Sequence, residues 1–101
     1  MIVEYTRYKI EEARRQTFEK EYGEAAKSLH ASPHCLAYEL SHCTEDPAYY
    51  VLRLEWDSEE GHLQGFRKSP EFQSFFAHVK PYVRDMEEMR HYRVTPTAGR
   101  K

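Results

Sequence analysis

His62 stands six positions after Trp56, where a strand-like stretch gives way to a helical one. Imidazole titrates at roughly 6.5, so a histidine there suits taking a proton from a weak acid at neutral pH. The plain alternative is a helix histidine that faces solvent or is held by a hydrogen bond. Trp56 closes its strand, where an indole either walls a pocket against an aromatic ligand or packs as core. His91 and Arg53 lie on strand-like stretches from which either could polarise a substrate oxygen. An interstrand pair with Glu39, Glu55 or Glu87 is the other reading. Tyr5, Tyr38 and Tyr50 offer hydroxyls to a phenolic ligand, or packing at an interface. His30, His34 and His42 fall near element ends and read as solvated. Neither Cys-x-x-Cys nor His-x-x-x-His spacing occurs, so no metal is expected.

These side chains need a scaffold, and the hydrophobic periods supply one. Ile2 to Lys9 alternates β-branched, aromatic and charged residues, which is strand chemistry. From Glu11 to His30 the period changes, with Ala13, Phe18, Tyr22, Ala25, Ala26 and Leu29 on one helical face. Pro33 ends that helix. His34 to Cys43 reads as a strand with Leu36, Tyr38 and Leu40 on one side and Cys35, Ala37 and Glu39 on the other. After the Thr44-to-Pro47 turn, Ala48 to Trp56 forms the partner strand of an antiparallel hairpin. Asp57 reads as an N-cap with Glu60 closing a capping box, starting a helix that runs to about Lys68. Ser69, Pro70 and Glu71 signal a second start. Phe66, Phe72, Phe75, Phe76 and Val79 then make an apolar stripe, which reads first as core, and Pro81 breaks it. Asp85 to Val94 is the last strand. The order β-α-β-β-α-β, with its second helix split, predicts an α+β ferredoxin-like fold with an antiparallel sheet. One domain over residues 1–94 and a flexible C-terminal tail over 95–101 are expected.

Composition narrows the function classes. Fifteen basic and 17 acidic residues give a net charge of −2, which argues against nucleic acid or an anionic membrane as partner. No apolar stretch approaches the ~20 residues of a membrane span. The first residues lack a basic and an apolar signal-peptide region, so a cytoplasmic protein is expected. Cys35 and Cys43, eight positions apart on one strand, are out of disulfide reach and read as free thiols. Aromatic residues make up 14% of the chain, more than one small core requires. A ligand cavity, a subunit interface, or both would take the surplus. The hairpin strands are apolar on both faces, yet two helices cover only one. A second subunit packing sheet to sheet would cover the other.

The stretch from Leu54 through Trp56, Asp57, Glu60 and His62, followed by Phe66, Ser69, Pro70, Phe72 and Phe75, resembles the antibiotic-biosynthesis monooxygenase family. Ser32 to Leu40 and Glu88 to Tyr92 are similar to two further segments of it, so the resemblance spans roughly Met1 to Val94. It implies a homodimeric α+β barrel with a pocket between sheet and helices. In one branch, polycyclic phenols are oxidised there by molecular oxygen without a cofactor. Trp56 matches a functional Trp of that branch, while Leu52 replaces its Asn and His62 replaces its Tyr. In a haem-degrading branch the functional positions correspond to Thr6, Phe66 and Phe76, all of which depart, and His78 lies two residues beyond the ligand position. The expected site therefore has His62 and Trp56 as catalytic residues, with Tyr38, Leu52, Phe66, Phe76 and His91 contacting a small aromatic substrate. The expected activity is cofactor-independent monooxygenation. The alternative is a non-catalytic dimeric binding protein for a hydrophobic metabolite or haem.

Overall fold

Alternation sets the sheet. The computed structural model describes residues 1–101. Strands β1 (Ile2–Lys9), β2 (Cys35–His42), β3 (Tyr49–Trp56) and β4 (Met86–Arg93) form one antiparallel sheet in the order β2-β3-β1-β4. Helices α1 (Arg15–Ala31) and α2 (Pro70–Val79) pack together over one face. This is the ferredoxin-like arrangement that the element order predicts.

The helix-covered face collects alternate residues: Glu4, Thr6 and Tyr8 of β1, and Tyr50, Leu52, Leu54 and Trp56 of β3, are buried. From α1 come Phe18, Tyr22, Ala25 and Leu29. Phe18 lies within 5.1 Å, centroid to centroid, of Tyr8, Tyr22, Tyr50 and Tyr82, so part of the aromatic surplus is an ordinary core. Ser69 caps α2 by accepting the Phe72 N–H at 3.3 Å, with Pro70 at the first helical position.

Three local expectations are corrected. Ala13 is exposed, because Glu12–Arg14 is a 3₁₀ turn whose tighter period carries it off the face of α1. In β2 the register slips between Cys35 and Ala37, so Leu36 is bulged out and 59% exposed while Cys35 joins the Trp56 end of the ladder. The helix expected from Asp57 to Lys68 is a π-helical turn, Gly61–Gly65, followed by a 3₁₀ turn, Phe66–Lys68. Its cap is Ser58, whose Oγ accepts the Gly61 N–H at 2.8 Å. Asp57 does not close the expected box, because its carboxylate is bound to His34 Nδ1 at 2.9 Å.

The opposite sheet face carries no helix. Tyr5 and Tyr92 lie on it edge to face at 5.5 Å and are 39% and 45% exposed. Arg53 belongs to this face too, bonded to Glu55 at 2.6 Å and to the Tyr5 hydroxyl at 3.3 Å. It therefore points away from the helices. Both cysteines are free. No helix is long and apolar enough to cross a membrane.

Candidate active site

The inward parity of β1 carries a carboxylate into the core. Glu4 is 4% exposed, and its neighbours along the sheet support it. Its Oε2 accepts the Thr6 hydroxyl at 2.6 Å, and its Oε1 accepts the Trp56 indole N–H at 3.0 Å. Burying a carboxylate is costly unless it is paired and hydrogen-bonded, which this one is. His91 of β4 stands directly opposite Glu4 in the ladder.

His62 completes the group from the π-helical turn. Its ring stacks on Trp56 at 4.3 Å with a 10° interplanar angle. Nε2 lies 3.4 Å from Glu4 Oε1, and Nδ1 is hydrogen-bonded to His91 Nε2 at 2.7 Å. Burial first, then the nearby His91 and Arg67, push the His62 pKa down from 6.5 to about 3. Glu4 pulls the other way, but 3.4 Å is longer than a full hydrogen bond. His62 is thus neutral at physiological pH, with one N–H and one lone pair. An ionised Glu4 favours the N–H on Nε2, leaving Nδ1 to accept from His91. A protonated Glu4 favours the reverse.

A cavity of about 260 Å³ opens against this group, between the sheet and α2. Leu52, Phe66, Phe76 and Met89 are among its walls, and Glu4, Thr6, Tyr8, Tyr22, His62 and Arg67 are polar residues of its lining. The Tyr8 and Tyr22 hydroxyls bond each other at 2.5 Å. Burial raises both their pKa values, that of Tyr8 to about 12, so the pair stays protonated.

Of the residues singled out from sequence, Trp56, His62, Leu52, Phe66 and Phe76 come together in this lining. His91 stands behind it, half-buried, and reaches it only through His62. Tyr38 does not join them. Downstream of the β2 bulge it borders a separate groove beside α1, where its hydroxyl bonds His30 Nδ1 at 3.1 Å. Glu4 and Thr6 escape a reading of the sequence as site residues. The available signal is parity: Glu4 and Thr6 share the face of Tyr8, whereas Tyr5, Arg7 and Lys9 share the other.

Glu4, His62 and His91 offer one metal-ligand atom each within 4.8 Å. Glu4 and the His62–His91 pair are already engaged with protein partners, so the geometry is that of a hydrogen-bonded network. His78 is no haem ligand toward the cavity, since its Nδ1 meets the Glu21 carboxylate at 2.7 Å.

The buried, neutral His62 has a stability consequence. Its folded-state pKa is below the unfolded value, so the unfolded chain binds the extra proton first on acidification. Stability is expected to fall as pH drops from about 6.5 toward 3, by up to about 1.4 kcal/mol per pH unit from this group. Urea denaturation at several pH values checks this: His62→Gln should flatten the slope, and an equally steep loss in that variant would remove His62 as its source.

The sheet order, the helices on one face and the split second helix define a ferredoxin-like α+β protein with an aromatic-walled cavity. The sequence pattern described as antibiotic biosynthesis monooxygenase matches residues 1–78, and the chain belongs to that family. YczJ, an uncharacterized protein of Bacillus subtilis, is 29% identical over 92 residues, covering 91% of this chain and 97% of its own. A candidate antibiotic biosynthesis monooxygenase of Bordetella bronchiseptica shares the fold with a TM-score of 0.81, at 22% identity over 93% of this chain and 96% of that one. SnoaB of Streptomyces nogalater, described as a cofactor-independent oxygenase, gives a TM-score of 0.76 at 15% identity, covering 95% of this chain and 94% of its own.

Proposed function

We propose that this chain is a cofactor-independent monooxygenase acting on a phenolic aromatic molecule held in the cavity between sheet and α2. The observation that carries the reading is the convergence of an apolar, aromatic-walled cavity on the buried Glu4–Trp56–His62 group. Family membership and the likeness to SnoaB support the same chemistry. Glu4 receives the phenolic proton, and the resulting electron-rich anion reduces dioxygen. One oxygen atom enters the ring in place of a hydrogen and the second leaves as water, so a phenol becomes a quinone and supplies all the electrons. His62 holds Glu4 from behind and Trp56 fixes both. Leu52, Phe66 and Phe76 bind the flat ring system and exclude water. A second copy of the chain covers the open sheet face at Tyr5 and Tyr92, making a homodimer in the cytoplasm.

The test is a ligand screen by thermal shift and Trp56 fluorescence with quinols, polycyclic phenols and haemin, followed by oxygen uptake on each hit. The expected result is binding of a phenol with oxygen consumption that His62→Ala loses. Binding without oxygen uptake would replace the reading with a carrier of apolar metabolites.

A further inference from the structure

His91 has no place in the cavity, yet it is the residue that His62 touches most closely. We propose that Glu4, His62 and His91 form a proton relay, and that His91 is its outlet to solvent. The inference rests on the reading of Glu4 as the group that takes the substrate proton.

Glu4 lines the cavity, and a ligand seated there cuts it off from solvent. It is 4% exposed, and its hydrogen-bonded neighbours are Thr6 and Trp56. An indole N–H donates but cannot take up a proton, and the Thr6 hydroxyl belongs to the cavity lining itself. A proton left on Glu4 must depart before the next substrate can be ionised. His62 Nε2, 3.4 Å from Oε1, is the one nearby base, and it is itself 4% exposed. Its other nitrogen meets His91 Nε2 at 2.7 Å, within good hydrogen-bond geometry. His91 is half-buried near the end of β4, so part of the residue meets solvent while its Nε2 meets His62.

Imidazole suits this task because it accepts a proton on one nitrogen while releasing another from the second. With Glu4 protonated, His62 carries its proton on Nδ1 and presents the Nε2 lone pair. Glu4 gives its proton to Nε2, Nδ1–H passes to His91 Nε2, and His91 releases the proton on its own Nδ1 to water. Glu4 is again a carboxylate, both rings are neutral, and one proton has left. The reverse sequence returns a proton to Glu4.

The register accounts for the arrangement. Glu4 and His91 are cross-strand partners, so β1 and β4 hold the two ends at a fixed separation, and the π-helical turn inserts His62 as the middle member. His91 is a positioning and proton-transfer residue, since it acts through His62.

The experiment follows the His62 ring N–H by ¹⁵N NMR in the free protein, so it needs no substrate. In the wild type its exchange with water should be rapid, because His91 connects it to solvent. His91→Gln keeps a side chain able to hydrogen-bond Nδ1 but cannot take up and release a proton. Exchange should then slow about 10²-fold, with backbone spectra and melting temperature unchanged. In His91→Ala, added imidazole should restore exchange in proportion to its concentration. Unchanged exchange in His91→Gln, or no rescue by imidazole in His91→Ala, would overturn the relay. Slowed and rescued exchange in a protein that consumes no oxygen with any phenol would sustain the relay and defeat the monooxygenase reading.

Discussion

Glu4→Gln is expected to leave a folded protein that still binds its phenol but turns it over about 10²–10⁴-fold more slowly. The two side chains have nearly the same shape. The glutamine oxygen can accept the Trp56 indole N–H that Glu4 now accepts at 3.0 Å, so the wall of the cavity stays in place. Only the ability to take a proton is lost. The magnitude follows from the usual contribution of a positioned general base, and the effect should fall on kcat with little change in KM. His62→Ala should lose activity by a different route, with the ring stacked on Trp56 removed and ligand binding weakened as well. Steady-state oxygen uptake for both variants separates the two patterns. A Glu4→Gln enzyme with the wild-type rate would show that Glu4 is only a buried structural acid and that another group takes the proton.

Much of the fold is legible because its signals are local. The change of period after Lys9, the proline after α1, the short turn before β3 and the Ser69–Pro70 start each report on a few neighbouring residues. The site is less so, because its members are joined by tertiary registry. Trp56 and His62 are close in sequence, but Glu4 and His91 meet them only once β1 pairs with both β3 and β4. A glutamate in a strand of alternating residues is usually read as outward-facing, and only the identity of the helix-covered face reverses that. Tyr38 illustrates the opposite error. It stands opposite Leu54 and so does face the helices, but β2 is the edge strand beyond β3, and the strand order that sets Tyr38 beside α1 and not at the cavity is no local signal. The π-helical turn is hidden for a similar reason, since His34, the ring it accommodates, stands just before β2, distant in sequence and brought to the turn only when Cys35 pairs with Trp56.

That turn gives the second large expected effect: Gly65→Ala should destabilise the protein by about 1–3 kcal/mol. No glycine in the chain has a positive φ, so the glycines of the turn supply room. A methyl group on Gly65 would overlap the His34 ring, and one on Gly61 would overlap the Asp57 carboxylate and come within 3.1 Å of His34 Nδ1. Carboxylate oxygens at the end of a flexible side chain move easily, whereas an imidazole ring must swing as a whole. Gly65→Ala is therefore expected to cost more than Gly61→Ala. If His34 swings out, the 2.9 Å bond to Asp57 is lost, and with it the tie between β2 and the turn. His62 sits between the two glycines, so its stacking on Trp56 and its bond to His91 should loosen together, and turnover should fall with stability. Gly23 provides the control. It lies inside α1, and a methyl group there would meet nothing within 4 Å, so Gly23→Ala should stabilise by about 0.8–1 kcal/mol and leave activity alone. Urea midpoints for the three variants decide the matter. Equal stability of Gly65→Ala and wild type would mean that the His34 ring does not lie against Gly65 in solution, and the turn would then owe its shape to the burial of His62 and Phe66 alone.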